Sequence, residues 1–225
     1  MGKTLIVFAG KYDGGSASAK RVRQFALGLR SAGDDAAVVG YKRGVCPPEG
    51  PIPWEVDRWG VRHASVGIAE GPPTNLRVVG DALTLSPRLG ELAARACREL
   101  AFNRILLYGT NWSMMRTVVH RVSQLRLPMV ADFIEWFLCK GGLAREWLDE
   151  ALFRRLCVPR LAGLVGISAF WETYARRIAR PILLIPAMSD DEFADLKPGG
   201  GNGFNVLYVG GLFRRDLPET MLDGG

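Results

Sequence analysis

Short apolar runs alternate with stretches of helical periodicity along most of this chain, the pattern of a parallel sheet covered on both faces. Residues 4–9 (TLIVFA) are the first such run, and a polar, glycine-bearing loop at 10–18 follows. From 19 to 32, Val22, Phe25, Ala26 and Leu29 share one helical face, while Arg21, Arg23 and Arg30 fall mostly elsewhere. Gly33 stops that helix. Residues 36–40 (AAVVG) predict the second strand. Residues 44–75, rich in proline and glycine, predict irregular structure with a small strand or two. The alternation then resumes: helix 87–100, strand 104–108, helix 113–125 and a strand from 128 ending at Asp132. Helix 145–156, strand 161–168, helix 169–180 and strand 182–185, closed by Pro186, complete it. The expected fold class is α/β, a Rossmann-like parallel sheet with helices on both faces.

Residues 189–203 turn acidic and then glycine-rich (KPGGGNG), a composition that neither packs nor holds one conformation, and are expected to be a linker. Residues 204–209 (FNVLYV) read as a buried strand running into Gly210 and Gly211. Arg214, Arg215 and Asp216 then lead into LPETML, with Asp216 a candidate N-cap and Pro218 tolerated in the first turn. A strand and one helical turn cannot bury a core. The expected organisation is therefore a domain over 1–188, a linker over 189–203 and the truncated start of a second domain over 204–225.

With 48% hydrophobic and 23% charged residues, the chain has the composition of a soluble globular protein with a large core. No apolar run reaches the roughly 18 to 20 residues that span a bilayer, and the run at 4–9 has no cleavage site, so a cytoplasmic location is expected. Cys46, Cys97, Cys139 and Cys157 are widely spaced without a C-x-x-C pair, which fits reduced thiols better than zinc ligands or a disulfide framework. Only His63 and His120 are present, so a histidine-based metal site is not expected. The net charge of +6 points either to anionic partners or to no more than an arginine-rich solvated surface. No nucleic-acid recognition signature is present, and nucleic acid is not an expected partner.

Several positions suit chemistry, each beside a plainer reading. Gly14 and Gly15, between the first strand and the first helix, let backbone N–H groups approach an anion beside the helix's positive end. They equally suit a plain strand–helix turn, and the spacing is not the G-x-G-x-x-G of dinucleotide sites. Asp132 and Glu135 follow a strand at its carboxyl end, three residues apart. They would orient a sugar hydroxyl or accept its proton, or else cap a turn and face solvent. Tyr108, with Gly109 and Thr110, and Ser168 end other strands at the same rim. Ser168 also suits the cap of the helix that follows. Arg214 and Arg215, before a helix, suit a diphosphate. The helix over 145–156, with Arg154, Arg155 and Arg160 nearby, would either rest on a membrane surface or pack its apolar stripe into the core.

Together these segments resemble the N-terminal half of a family 4 glycosyltransferase of the two-Rossmann-domain GT-B type. The resemblance rests on DGGSASAKRVRQFALGLRSAG after the first strand, ILLYGTNW, PMVADFIEWF, LVGIS, ILLIPAMSDDEF and LYVGGLFRRDLPETML, in the family's order. It implies an acceptor-binding domain, with Gly14 and Gly15 facing the donor diphosphate and Asp132 and Glu135 on the acceptor side. It also implies Arg214 or Arg215 holding the diphosphate as it leaves, and Tyr108 and Ser168 lining an acceptor pocket. The implied chemistry is sugar transfer with retention from a nucleotide-sugar to a glycan or lipid-linked acceptor, with no metal and no cofactor. Cell-envelope glycan synthesis and peripheral contact with the inner membrane face are the expected setting. The family's E-x-(7)-E region would lie beyond Gly225, so the chain as given is expected to be inactive. Two other readings stand beside this one: a non-catalytic glycan- or partner-binding module, and an unrelated nucleotide-binding protein such as an oxidoreductase.

Overall fold

A computed structural model describes residues 2–12, 16–43, 50–68, 75–133 and 144–186. Its strands are β1 (Lys3–Lys11), β2 (Asp35–Arg43), β3 (Glu55–Val56), β4 (Arg62–Ile68), β5 (Arg104–Tyr108), β6 (Met129–Phe133), β7 (Gly163–Gly166) and β8 (Ile182–Leu184). The helices are α1 (Ala17–Ser31), α2 (Asn75–Leu100), α3 (Trp112–Gln124), α4 (Ala144–Leu152) and α5 (Ala169–Arg177). The strands form one sheet in the order β3-β4-β2-β1-β5-β6-β7-β8, parallel throughout except where β3 meets β4. This is the Rossmann-like α/β arrangement that the alternating pattern predicts.

The central strands are apolar on both faces because both faces are covered. Leu5, Ile6 and Val7 of β1 are all fully buried. On one face, Val22, Phe25 and Ala26 of α1 pack over Ile6, Phe8 and Val38. On the other, α2, α3 and α5 pack over Leu5, Val7, Leu107 and Ala131. Among the described residues no helix is long and apolar enough to cross a membrane.

Three local expectations are corrected. Arg21 and Arg23 were expected mostly off the apolar face of α1, but they are 6% and 2% exposed, because partners on other elements receive them. The helix expected from 87 begins at Asn75, leaving Pro87 mid-helix. A proline there removes one backbone hydrogen bond and crowds the preceding turn. The helix runs through it while Leu85, Leu89, Leu92, Ala93 and Ala96 bury one side in the core. The helix expected over 145–156 also divides. α4 stops at Leu152, a π-helical turn covers Phe153–Cys157, and a 3-10 turn covers Val158–Arg160. The wider turn keeps both Phe153 and Cys157 in the core, while Leu148 is left 51% exposed.

Candidate functional site

The chain leaves β1 through α1 to reach β2 on one side, whereas β5 joins β1 on the other. The carboxyl ends of β1 and β5 therefore flank a topological switch point, where open parallel sheets hold their ligands. Phe8 and Tyr108 are register partners across this junction, with their rings edge-to-face at 5.2 Å. One residue further on, the backbone of Gly109 turns away at φ 116°, and a Cβ there would lie 2.8 Å from that of Ala9. Only glycine accepts both that conformation and that approach.

α1 begins at the same rim. Ser16 is its N-cap, and the side chain accepts a hydrogen bond from the Ala19 N–H at 3.1 Å. The first turn carries no acidic residue, so the positive end of a 15-residue helix is not offset from within. Gly14 and Gly15, expected to cradle an anion here, lie outside the described residues.

Register carries the rim across the sheet: Phe8 pairs with Tyr108, Tyr108 with Asp132, and Asp132 with Val165. Register partners in a parallel ladder face the same way, so Asp132 points to the α1 side. There Arg21 of α1 donates from Nε and Nη2 to the two Asp132 oxygens, at 2.7 and 3.1 Å. The same guanidinium donates to the carbonyls of Ile185 and Pro186 at 3.0 and 2.8 Å, and it lies 5.0 Å from the Phe25 ring centroid. The planar fork of arginine makes this possible, with two donors on the carboxylate and two more on backbone carbonyls. Burial pushes the Asp132 carboxyl above its ordinary value, and the hydrogen bond and charge of Arg21 pull it back.

Asp132 is thus 1% exposed, with both oxygens engaged by Arg21. Tyr108 is also buried, at 5%, beneath the rim. Ser168 is exposed at the end of β7 and holds the N-cap position of α5 without a side-chain capping bond. Glu135, Arg214 and Arg215 lie outside the described residues. Sequence reasoning missed Arg21, although one signal was available: an arginine one turn before Phe25, in the first turns of a helix that starts at the rim.

Asp149 was missed as well. It comes from α4 and accepts from the Ser113 N–H at 2.7 Å and from the Ser113 hydroxyl at 2.8 Å, covering the start of α3. Asn111, at the N-cap position itself, makes no side-chain capping bond. Cys97 and Cys157 are buried free thiols, and burial pushes both up to about 11.

The sequence matches no family model and no curated protein. The fold is similar to that of UDP-GlcNAc 2-epimerase from Neisseria meningitidis bound to UDP-GlcNAc. The identity is 13% over 81% of this chain and 45% of that one, with a TM-score of 0.51. The corresponding values are 13%, 83%, 52% and 0.49 for a UGT transferase from Siraitia grosvenorii in complex with UDP. For the epimerase from Methanocaldococcus jannaschii they are 9%, 81%, 45% and 0.47. The chain spans under half the length of the epimerases it matches. At such identities the likeness is one of fold, and the fold is a Rossmann-like domain of the GT-B type.

Proposed function

We propose that this chain is the acceptor-side domain of a glycosyltransferase. Such an enzyme moves a sugar from a nucleotide-sugar donor to a glycan or lipid-linked acceptor, with retention of configuration. The observation that carries this reading is the β1–β5 switch point, beside which α1 begins with no acidic residue in its first turn. The similar fold of an epimerase bound to UDP-GlcNAc supports it.

On this reading the backbone N–H groups at Gly14 and Gly15 face the donor diphosphate. Arg214 or Arg215, at the start of a second Rossmann-like domain beginning at 204, stabilises the charge as the diphosphate departs. Neither a metal nor a protein nucleophile is required. Glu135, Tyr108 and Ser168 belong to the acceptor side. Asp132 serves there as a positioning residue, holding Arg21 and through it the rim.

Titration of the protein with UDP-glucose, GDP-mannose and NADH, followed by tryptophan fluorescence, tests the reading. Saturable quenching by one of the nucleotide-sugars and none by NADH is the expected result. A clear NADH binding curve with no response to either sugar nucleotide would overturn it in favour of an oxidoreductase-like protein.

A further inference from the structure

A cavity of about 300 Å³ opens on the side of β1 away from β5, where the ends of β1 and β2 meet the β3–β4 hairpin. Tyr12, Trp59 and His63 give it an aromatic wall. Its charged groups are of both signs, Lys11 and Lys42 with Glu55 and Asp57.

The wall is built in advance of any ligand. One Asp57 oxygen accepts from the Tyr12 hydroxyl at 2.8 Å, and the other accepts from the Trp59 and Val61 N–H groups at 2.9 and 2.8 Å. One carboxylate thus pins the end of β1 to the turn between β3 and β4. The Arg23 guanidinium, buried, lies 3.6 Å from the Trp59 ring centroid and fixes the indole. Walls held this way need little reordering when a ligand arrives.

With Asp57 committed, Glu55, Lys42 and His63 are left to serve a ligand. Glu55 and His63 are register partners in the antiparallel β3–β4 pair, so they sit side by side on one face. The Lys42 ammonium lies 3.9 Å from the Glu55 carboxylate, and both side chains are exposed. His63 is tilted against Tyr12 at 5.1 Å and makes no hydrogen bond among the described residues. Burial holds it below its ordinary value, and the neutral imidazole offers one donor and one acceptor.

We propose that this cavity binds a neutral polyhydroxylated ring, one sugar unit of a saccharide. A charged ligand group of either sign that reaches one member of the Lys42–Glu55 pair comes close to the other, which repels it. A hydroxyl both donates and accepts, so hydroxyls on one ring satisfy ammonium, carboxylate and imidazole together. The aromatic wall covers the C–H face of such a ring, and the volume, at the low end for ligand sites, suits a single ring. The binding stands without the transferase reading; that the ring belongs to the glycan acceptor rests on that reading.

The test is a saturation-transfer NMR titration of the protein with methyl glucoside, methyl mannoside, methyl galactoside and N-acetylglucosamine. Glucose 6-phosphate, glucosamine and serine are the charged controls. At least one neutral sugar should bind saturably, and every charged control more weakly. Lys42→Ala and Glu55→Ala should each weaken the sugar's binding about tenfold, the scale of one hydrogen bond to a charged group. Circular dichroism checks that both variants are folded. At an anion site Glu55→Ala would tighten binding, and at a cation site Lys42→Ala would do so. Saturation by none of the four neutral sugars, a charged control that binds more tightly, or affinity unchanged or improved in either variant would each overturn the proposal. The UDP-glucose, GDP-mannose and NADH titrations report on the transferase reading separately, so either idea can fail alone.

Discussion

Arg21 and Asp132, separated by 111 positions in sequence, are joined by two hydrogen bonds of 2.7 and 3.1 Å at the buried carboxyl end of β6. Through the same guanidinium, α1 also holds the carbonyls of Ile185 and Pro186, where the chain leaves β8. One side chain therefore fastens the start of α1, the end of β6 and the exit from β8. Removing two charges from water is costly, and this geometry offsets the cost only while both partners remain.

Replacing Asp132 with alanine strands the Arg21 charge in the interior. The expected loss is about 3–5 kcal/mol of unfolding free energy, read from urea denaturation. The double variant Arg21→Met, Asp132→Leu should lose clearly less than the sum of the two single changes, since no buried charge is left over. Strict additivity would mean that the pair does not act as a unit.

Glycines in two different settings should respond in opposite directions. At Gly109, φ is 116° and an added Cβ would meet Ala9, so Gly109→Ala should destabilise by about 1–3 kcal/mol. Gly28 lies within α1 with nothing within 4 Å of its missing Cβ. Gly28→Ala should stabilise by roughly 0.5–1 kcal/mol, since alanine is the better helix former. Thermal melts of the two variants, compared with the parent, decide the matter.

The start of α3 depends on a carboxylate from another helix. Asp149→Ala removes acceptors from both the N–H and the hydroxyl of Ser113, and should cost about 0.5–2 kcal/mol, the range for a lost N-cap. Amide exchange should rise first at Ser113 and its neighbours. Unaltered protection there would show that α3 holds its start without Asp149.

His63 gives the protein an acid-sensitive element. Burial lowers its folded value below the ordinary 6.5, while Glu55 and Asp57 raise it and Lys42 lowers it further. Below pH 6.5 the unfolded chain takes up this proton more readily than the folded one. The contribution is therefore intact above 6.5 and is lost as pH falls toward the lower folded value. His63→Gln should flatten the stability profile just below pH 6.5. An unchanged slope in that variant would assign the acid sensitivity to other groups.

The strand pattern was legible because a strand covered on both faces must be apolar throughout, as residues 4–9 are, with Leu5, Ile6 and Val7 fully buried. The predicted strand 104–108 likewise appears as β5 with the same bounds. The start of α2 was hidden because Pro87 imitates a helix entry, and only the burial of Leu85 and its neighbours carries the helix through it. The rim was legible in part: Tyr108, Asp132 and Ser168 were found at strand ends because loops after parallel strands are where ligands bind.

What each rim residue touches was not legible. Arg21 and Arg23 read only as lying mostly off the apolar face of the helix, because an arginine is costly to bury alone and the partners of these two come from elsewhere in the chain. Asp132 read as open to chemistry for the same reason, since nothing near it in sequence shows the guanidinium that takes both its oxygens. Local periodicity records which residues avoid water. Which charges meet is set by strand order and register, and those exist only once the sheet has formed.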